Sequence, residues 1–598
     1  MQSFGNLSAA ELDQALQAAR EHPNSAEAWV NLGQAFIAAG QTPSAPRCFA
    51  RATELEPRAA AHWARLGKAL LSLRQYQQAE EALRRACAIE PRSVQFRMLL
   101  GAVSIEQNDI DGALEAYARA LHSEPQNLQC AVAQALLLPP VYRDIEAVDF
   151  WRSRFAAGIS SLSADFDKRS KWRAQVLGLQ WHNFSLAHHG RDDRTMQEGY
   201  AEFLQALLAR AVPSLQQAPA EEPARNRRIR IGFLSPSLRT CTVGAYFSSW
   251  ILDLPKERFE IRCYFTGYLP DALTARIAAA SDSFETLGGA VDSIARRVRA
   301  DRLDILIFPD IGMSTDSYLL SNLRLAPIQC AAWGHPVTTG SRFIDFFLSC
   351  AEMEPKGASA HYRENLIVLP GLGVRYGRPP PSKALPREKL GISRDAHMYV
   401  HPNRLHKNLP DRDAVLLEIL SRDPEAVLVF FDTVAPGQRK AFVERLELGM
   451  RARGVAPRKQ VKFLPELPHA VFRDVLKTAD VMLDSPNFSA GSSALDALSA
   501  GLPIVAQEGK YMRGRQSAAM LRIVGLSELV ASDDDNYVEL AVRVAGDPAY
   551  RASLSERITA GLPRLFDRSE PIEALAAVLV ELANRDARHG GGRVTPSP

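Results

Sequence analysis

The sequence lacks any apolar run of the ~18 residues that a membrane-spanning helix needs, so no membrane span is expected. Charge of one sign is missing too: Lys+Arg number 71 against Asp+Glu 68, leaving +3. That balance argues against nucleic acid or an acidic membrane as the main partner. Cysteine is sparse and without pattern. The seven residues (Cys48, Cys87, Cys130, Cys241, Cys263, Cys330, Cys350) are odd in number and never spaced as CxxC, which excludes a disulfide framework and a zinc site. No Asp-x-Asp pair closes an apolar strand, and the acidic run "SDDDNY" (532–537) reads as a helix start, so no metal and no cofactor are expected. The first 25 residues have no basic start followed by an apolar core. They read as an amphipathic helix rather than a signal peptide, and the expectation is a cytoplasmic protein.

What is present begins with a period. At 598 residues the chain has room for roughly four domain-sized units. Gly33, Gly67 and Gly101 are 34 residues apart, as are Pro23, Pro57, Pro91 and Pro125. Trp29-x2-Leu32-Gly33-x2-Phe36, then Ala45-x3-Phe49 and Pro57, follow the tetratricopeptide pattern. Trp63, Leu66-Gly67, Ala79-x3-Leu83 and Pro91 repeat it, and so do Leu100-Gly101, Ala113-x3-Tyr117 and Pro125, with Arg97 in place of Trp. Three full repeats and a half repeat at residues 8–23 stack into an α-solenoid, a surface that binds protein segments.

Residues 128–214 carry helical spacing in "WRSRFAAGI" and "MQEGYAEFLQALLARAV" but no period, and read as a helical spacer. "PSLQQAPAEEPARNRR" is rich in Pro, Ala, Glu and Arg and marks a surface linker over 215–228. Its basic end (Arg225, Arg227, Arg228, then Arg230) reads as a solvated lead-in to a strand sooner than as an anion patch.

From Ile229 the pattern changes to short apolar strands separated by helices. "IRIGFLS", "FEIRCYF", "LDILIFPD", "IQCAAWG", "IDFFLS" and "NLIVLP" form one block, and "GLGVRYGRPPPSKALPRE" (371–388) ends it. "HMYVHPN", "AVLVFFD", "VKFLPE", "DVMLD", "LPIVAQ" and "ELVAS" form a second. Two such blocks predict two parallel-sheet, Rossmann-like α/β lobes, 229–385 and 386–585, with a disordered tail at 586–598 after them and the repeats at 1–127 before. Ligands of such sheets bind beyond the carboxyl ends of the strands.

In the second block, "SPNFSAGSSALDALSAGLP" follows strand "DVMLD" and opens a helix near Ser492. First-turn amides have no internal partner and the helix dipole is positive there, so an anion is favoured. Gly491 admits a phosphate closely, Ser492 and Ser493 add hydroxyls, and Asp496 is placed to accept from a ribose. The plain alternative is a capped helix with a first-turn acid. "HPNRLHKNLP" follows the block's first strand and brings Asn403, Arg404 and Lys407 to the same edge.

These features together resemble the O-linked N-acetylglucosamine transferase family, which includes the plant SPINDLY proteins and bacterial homologues. The resemblance covers about residues 20–580, through "WGHPVTTGSRFIDFFLS", "HYRENLIVLPGLG", "SPNFSAGSSALDALSAGLPIV" and "KYMRGRQSAAMLRIVGL" in that order. It implies a GT-B fold, a UDP-sugar donor, and an inverting, metal-free transfer to Ser or Thr of a protein acceptor bound by the repeats. Lys407 would hold the diphosphate and Arg404 would lie near uracil and phosphates. Ser492 and Ser493 would contact phosphate and Asp496 the ribose. His182 resembles a histidine near the reacting sugar, and the loop with His335, Thr338 and Thr339 one that lines the cleft.

Some positions depart from the family. Cys241 stands where it usually has His, Ser237 where it often has Asp, and Phe472 where animal members have a nucleotide-contacting His. Cys241 as a catalytic thiolate competes with a plain small buried residue. Three readings stay open: a protein O-glycosyltransferase using a UDP-sugar, first N-acetylglucosamine; the same class with another nucleotide sugar and a dedicated acceptor such as flagellin; and a tetratricopeptide adaptor with inactive lobes.

Overall fold

The computed structural model describes residues 9–219, 227–431, 435–453 and 460–586. It divides into two compact units. One is Met1–Arg143 with Ser153–Trp172 and Thr433–Glu444; the other is Asp144–Arg152 with Arg173–Asp432 and Arg445–Pro598.

The first unit is built from helix pairs: Ala26–Ala38 with Ala45–Leu55, Ala60–Ser72 with Tyr76–Ile89, and Val94–Glu106 with Ile110–Ser123. The expected half repeat is the helix Ala9–Glu21. Each pair is closed by its glycine. A Cβ on Gly33 would lie 2.7 Å from the Phe49 ring, on Gly67 2.5 Å from Leu83, and on Gly101 2.4 Å from Tyr117. Only hydrogen at these positions lets the second helix press its large side chain against the first. The Trp positions also have a shared physical role. Trp29 Nε1 donates to the Pro23 carbonyl at 2.9 Å and Trp63 Nε1 to that of Pro57 at 3.0 Å. Arg97 Nε does the same to Pro91 at 2.8 Å, so the Trp-to-Arg change keeps the bond and alters only the ring.

The array runs one helix further than the sequence period indicates. Leu128–Leu136 starts in register with Val94, capped by Asn127 as Val94–Glu106 is capped by Ser93. The Leu-Gly pair of the motif is replaced there by Gln134-Ala135, which hides the repeat. Arg154 then donates to the carbonyl of Ala135 at 3.2 Å and closes the end of that helix.

The second unit holds two parallel sheets. The first has strands β1 (Ile229–Ser235), β2 (Phe259–Phe265), β3 (Ser283–Thr286), β4 (Ile305–Phe308), β5 (Ile328–Ala332), β6 (Phe346–Cys350) and β7 (Asn365–Leu369) in the order β3-β2-β1-β4-β5-β6-β7. The second has β8 (His397–His401), β9 (Ala426–Phe431), β10 (Val461–Leu464), β11 (Val481–Leu483), β12 (Ile504–Gln507) and β13 (Val530–Ala531) in the order β10-β9-β8-β11-β12-β13. The central strands β4 and β5 are buried throughout, which is why they read as plain apolar runs. β3 carries no such signal because it is a half-exposed edge strand. Order reverses between β1 and β4 and between β8 and β11, and the crevice of a doubly wound sheet opens at that switch. The last helix, Glu570–Asp586, crosses back and packs on β7 and on the helix Thr242–Leu252 of the first lobe.

The basic lead-in is neither an anion patch nor free in solvent. Arg227 is bidentate to Asp304 at 2.8 Å, Arg228 pairs with Asp282 at 2.8 Å, and Arg230 lies 3.6 Å from Glu260. Arg225, the middle of the expected linker (220–226) and the expected tail beyond residue 586 lie outside the described residues. Among the described residues no helix is long and apolar enough to cross a membrane.

Comparing the repeats predicts two stabilising changes. The second repeat alone starts its first helix without a side-chain cap, at Ala59, whereas Ser25, Ser93 and Asn127 each accept a first-turn amide. Ala59→Asn is expected to gain about 1 kcal/mol. Arg74 adopts φ 58° where sister repeats place Gly40 and Asn108, and Arg74→Gly is expected to gain about 0.5–1 kcal/mol. Both are read from the unfolding transition that carries the repeat array's helical signal; a loss of stability from either would contradict the repeat geometry.

Candidate active site

The two switch points bring four loops together within the second unit. From the first lobe come residues 236–241, after β1, and Asp310, after β4. From the second come residues 402–409, after β8, and 484–491, after β11. The lobes meet there: Thr242 Oγ1 lies 3.3 Å from Ser492 Oγ.

Each lobe anchors its loops on a fully buried aspartate that follows a central strand. Asp310 accepts from Ser237 Oγ at 2.6 Å while its Oδ1 has no partner among the described residues. Asp484 accepts from Ser489 Oγ at 2.6 Å and from the Ala490 amide at 2.7 Å. Ser489 Oγ in turn accepts the Ser517 amide at 2.9 Å. Burial raises both carboxyls to about 6, against hydrogen bonds that favour the ionised form. Neither residue was singled out from sequence, although "LIFPD" and "VMLD" both place an acid directly after a buried strand.

Asp484 thereby sets the start of the helix Ser492–Ser499. Gly491 precedes it, and the amides of Ser492 and Ser493 take no partner among the described residues. Asp496 is buried, with Oδ2 accepting from His469 Nε2 at 2.8 Å and Oδ1 unpaired. Desolvation raises its pKa, with the His469 contact working against it. His469 escaped the sequence reading; it lies one turn before Phe472 on the helix His469–Thr478 and puts an imidazole on the Asp496 carboxylate.

Lys407 comes to the same edge. Its Nζ lies 4.1 Å from the centroid of Phe488, a cation–π contact. The side chain forms no ion pair among the described residues. Desolvation, reinforced by Arg404, lowers its pKa to about 8. The wall around it is made of neutral imidazoles. His188 packs 4.9 Å from His406 and 5.0 Å from Phe488. Burial drives His406 and His335 down to about 3 and His188 well below its usual value. Among the described residues Lys407 is thus a cation beside aromatic rings with no carboxylate paired to it.

The remaining residues named from sequence divide. Asn403 Nδ2 donates to the Phe488 carbonyl at 3.0 Å and holds the two second-lobe loops together. Arg404 is drawn to the surface by Glu466 at 3.0 Å instead of facing the helix start. His335 is buried with Nε2 unpaired among the described residues, its pKa lowered by burial and then by Arg513, while His182 is exposed. Thr338 and Thr339 are bound within their own lobe. Both hydroxyls donate to the buried Glu364, Thr338 at 2.6 Å, and the Thr339 amide does so at 2.8 Å, so these groups shape the loop. Cys241 is a helix cap: Sγ accepts from the Gly244 amide at 3.4 Å and donates to the Ser237 carbonyl at 3.5 Å. Among the described residues no group of three or more His, Cys, Asp or Glu is arranged to hold a metal ion. In "SDDDNY", Asp533 caps the helix Asp534–Gly546.

A helical repeat array followed by two facing Rossmann-like lobes defines a GT-B glycosyltransferase architecture with a tetratricopeptide front. The chain belongs to glycosyl transferase family 41, whose profile matches residues 205–372 and 380–567, and a tetratricopeptide repeat profile matches 32–93 and 64–127. It is 25% identical over 403 residues to a protein of Solanum lycopersicum described as "Probable UDP-N-acetylglucosamine--peptide N-acetylglucosaminyltransferase SPINDLY", covering 64% of this chain and 41% of the relative. It is 30% identical over 271 residues to a "UDP-glucose:protein N-beta-glucosyltransferase" of Actinobacillus pleuropneumoniae serotype 7, covering 44% of this chain and 42% of the relative. The chain thus spans about two fifths of the length of the curated relatives it matches. In fold it is similar to a mutant O-GlcNAc transferase of Thermobaculum terrenum, at TM-score 0.68 and 23% identity over 97% of both chains.

The buried Asp310 carries a pH signature. Its folded value of about 6 lies above the ordinary 3.8. Between those values the native state holds a proton the unfolded state releases, so this group's contribution falls as pH rises through that window. Asp310→Asn is expected to raise the melting temperature at pH 7.5, a gain on the order of 2–3 kcal/mol, and to lose that advantage at pH 4. An equal gain at both pH values would remove the carboxylate as its source.

Proposed function

We propose that the chain is an inverting protein O-glycosyltransferase that moves a sugar, first N-acetylglucosamine, from a UDP-sugar to Ser or Thr of proteins selected by the repeats. The observation that carries this reading is Lys407: a cation without a carboxylate partner among the described residues, at the same sheet edge as the helix start Gly491–Ser493. In the reaction, Lys407 and the amides of Ser492 and Ser493 take the charge that develops on the departing diphosphate, which is electrostatic catalysis by preorganised donors. The free Oδ1 of Asp496 accepts from a ribose hydroxyl. His182 and His335 line the sugar side, His335 as a neutral ring with Nε2 available. As the acceptor oxygen bonds to the anomeric carbon and the carbon–phosphate-oxygen bond breaks, the acceptor's proton passes to Ser237 Oγ while Ser237's own proton passes to Asp310. This pair fills the place where the family resemblance expects an acid at 237. No metal enters any of these steps.

A second reading keeps the chemistry and changes the sugar and acceptor. It is supported by the sugar-side departures, Ser237 and the cap Cys241, and by a relative whose name specifies UDP-glucose and attachment to nitrogen.

Calorimetry with UDP, then UDP-N-acetylglucosamine and UDP-glucose, tests both. UDP is expected to bind and Lys407→Ala to weaken it by at least tenfold. The stronger sugar nucleotide ranks the two readings, and no binding by any of them would leave the adaptor. With Lys407 at about 8, the free ammonium is mostly charged at pH 7 and mostly neutral at pH 9. UDP affinity should therefore fall about tenfold between those values, a slope that Lys407→Ala should lack.

A further inference from the structure

Tyr246 lies on the first-lobe helix Thr242–Leu252, is 4% exposed, and has a hydroxyl without a hydrogen-bond partner among the described residues. Buried polar groups are rarely left so, because an unmade hydrogen bond is costly. The ring is fixed by an aromatic cluster, with centroids 5.1 Å from Tyr376, 6.4 Å from Phe247 and 6.5 Å from Trp333. Its oxygen points across to the second lobe. A Cβ built on Gly491 would lie 3.1 Å from Tyr246 Oη and 2.8 Å from Gln516 Oε1. Gly491 is thus a cradle closed by a phenol from one lobe and an amide from the other, directly before the free amides of Ser492 and Ser493. One turn earlier on the Tyr246 helix, Thr242 already meets Ser492.

We infer that Tyr246 is a donor-binding residue: its hydroxyl gives a hydrogen bond to a phosphate oxygen of the nucleoside diphosphate held at Gly491–Ser493, so that the first lobe grips the leaving group directly. The inference rests on the nucleotide-sugar reading above. Burial, then the neighbouring Tyr376, Cys350 and Asp496, hold the phenol far above its usual pKa. It therefore remains a neutral donor, the form a phosphate oxygen needs. The orphaned hydroxyl of the free protein is satisfied only when the anion arrives, which couples lobe contact to donor binding.

The test is Tyr246→Phe in the full chain, which removes one oxygen and keeps the ring. Calorimetry with UDP and with uridine is paired with melting of the ligand-free protein. UDP should bind roughly tenfold more weakly or worse, uridine should be unchanged, and the ligand-free melting temperature should hold or rise. Unchanged UDP affinity overturns the inference and leaves the nucleotide reading standing. Equal weakening of UDP and uridine also overturns it, since the effect would then be general distortion. Failure of the unmodified protein to bind UDP overturns both.

Discussion

The site depends on a buried ion cluster that joins the helical spacer to the second lobe. Asp193 is 2% exposed, 2.7 Å from Arg152 and 3.0 Å from Arg513. Burial raises its carboxyl, against the opposing effect of the two guanidinium groups. Arg513 also donates to the Arg191 carbonyl, and its own carbonyl accepts the Ser489 amide at 2.7 Å. Through Ser489 the cluster reaches Asp484, and from there the helix start at Gly491. Removing Asp193 would leave two buried guanidinium groups without their carboxylate, at a cost of about 3–5 kcal/mol. The loop before the helix Ser492–Ser499 is therefore positioned from two sides, by its own strand and by the spacer.

Charge is distributed to match. The acids of the site are buried and engaged: Asp310 with Ser237, Asp484 with Ser489, Asp496 with His469, Glu364 with Thr338 and Thr339. His188, His335 and His406 are held neutral by burial. Lys407 is left facing a ring, with no carboxylate paired to it among the described residues. Lys407 stands out as a cation because the nearby acids are spent on other groups and not because basic residues are in excess, consistent with a chain whose overall charge is only +3.

The repeat array tolerates letter changes that preserve an interaction. Arg97 replaces Trp and keeps the bond to the preceding proline carbonyl. The glycines are stricter, because each receives a side chain at less than contact distance from where a Cβ would be. The motif is thus a record of two constraints, one on hydrogen bonding and one on space. A helix that meets its register with other letters, Leu128–Leu136, leaves no trace in the period.

Periodicity and buried apolar runs were legible without coordinates because local chemistry produces them: the 34-residue glycine and proline spacing, the strands β1 and β2 to the residue, and the small residues opening the helix at Ser492. Lys407, Asn403, Gly491, Ser492 and Asp496 could be named because each follows a strand end, and strand ends converge in a doubly wound sheet. The partners were invisible because they come from distant chain segments. Glu364 claims Thr338 and Thr339, Glu466 claims Arg404, and Asp310 lies behind Ser237. His188 reaches Phe488 and Tyr246 reaches Gly491 only once the spacer and both lobes are assembled. By itself the sequence determined the architecture and the edge where chemistry is placed. Tertiary structure alone decided which polar groups are already satisfied and which remain for a ligand, since hydrogen-bond satisfaction is a property of neighbours in space and not in the chain.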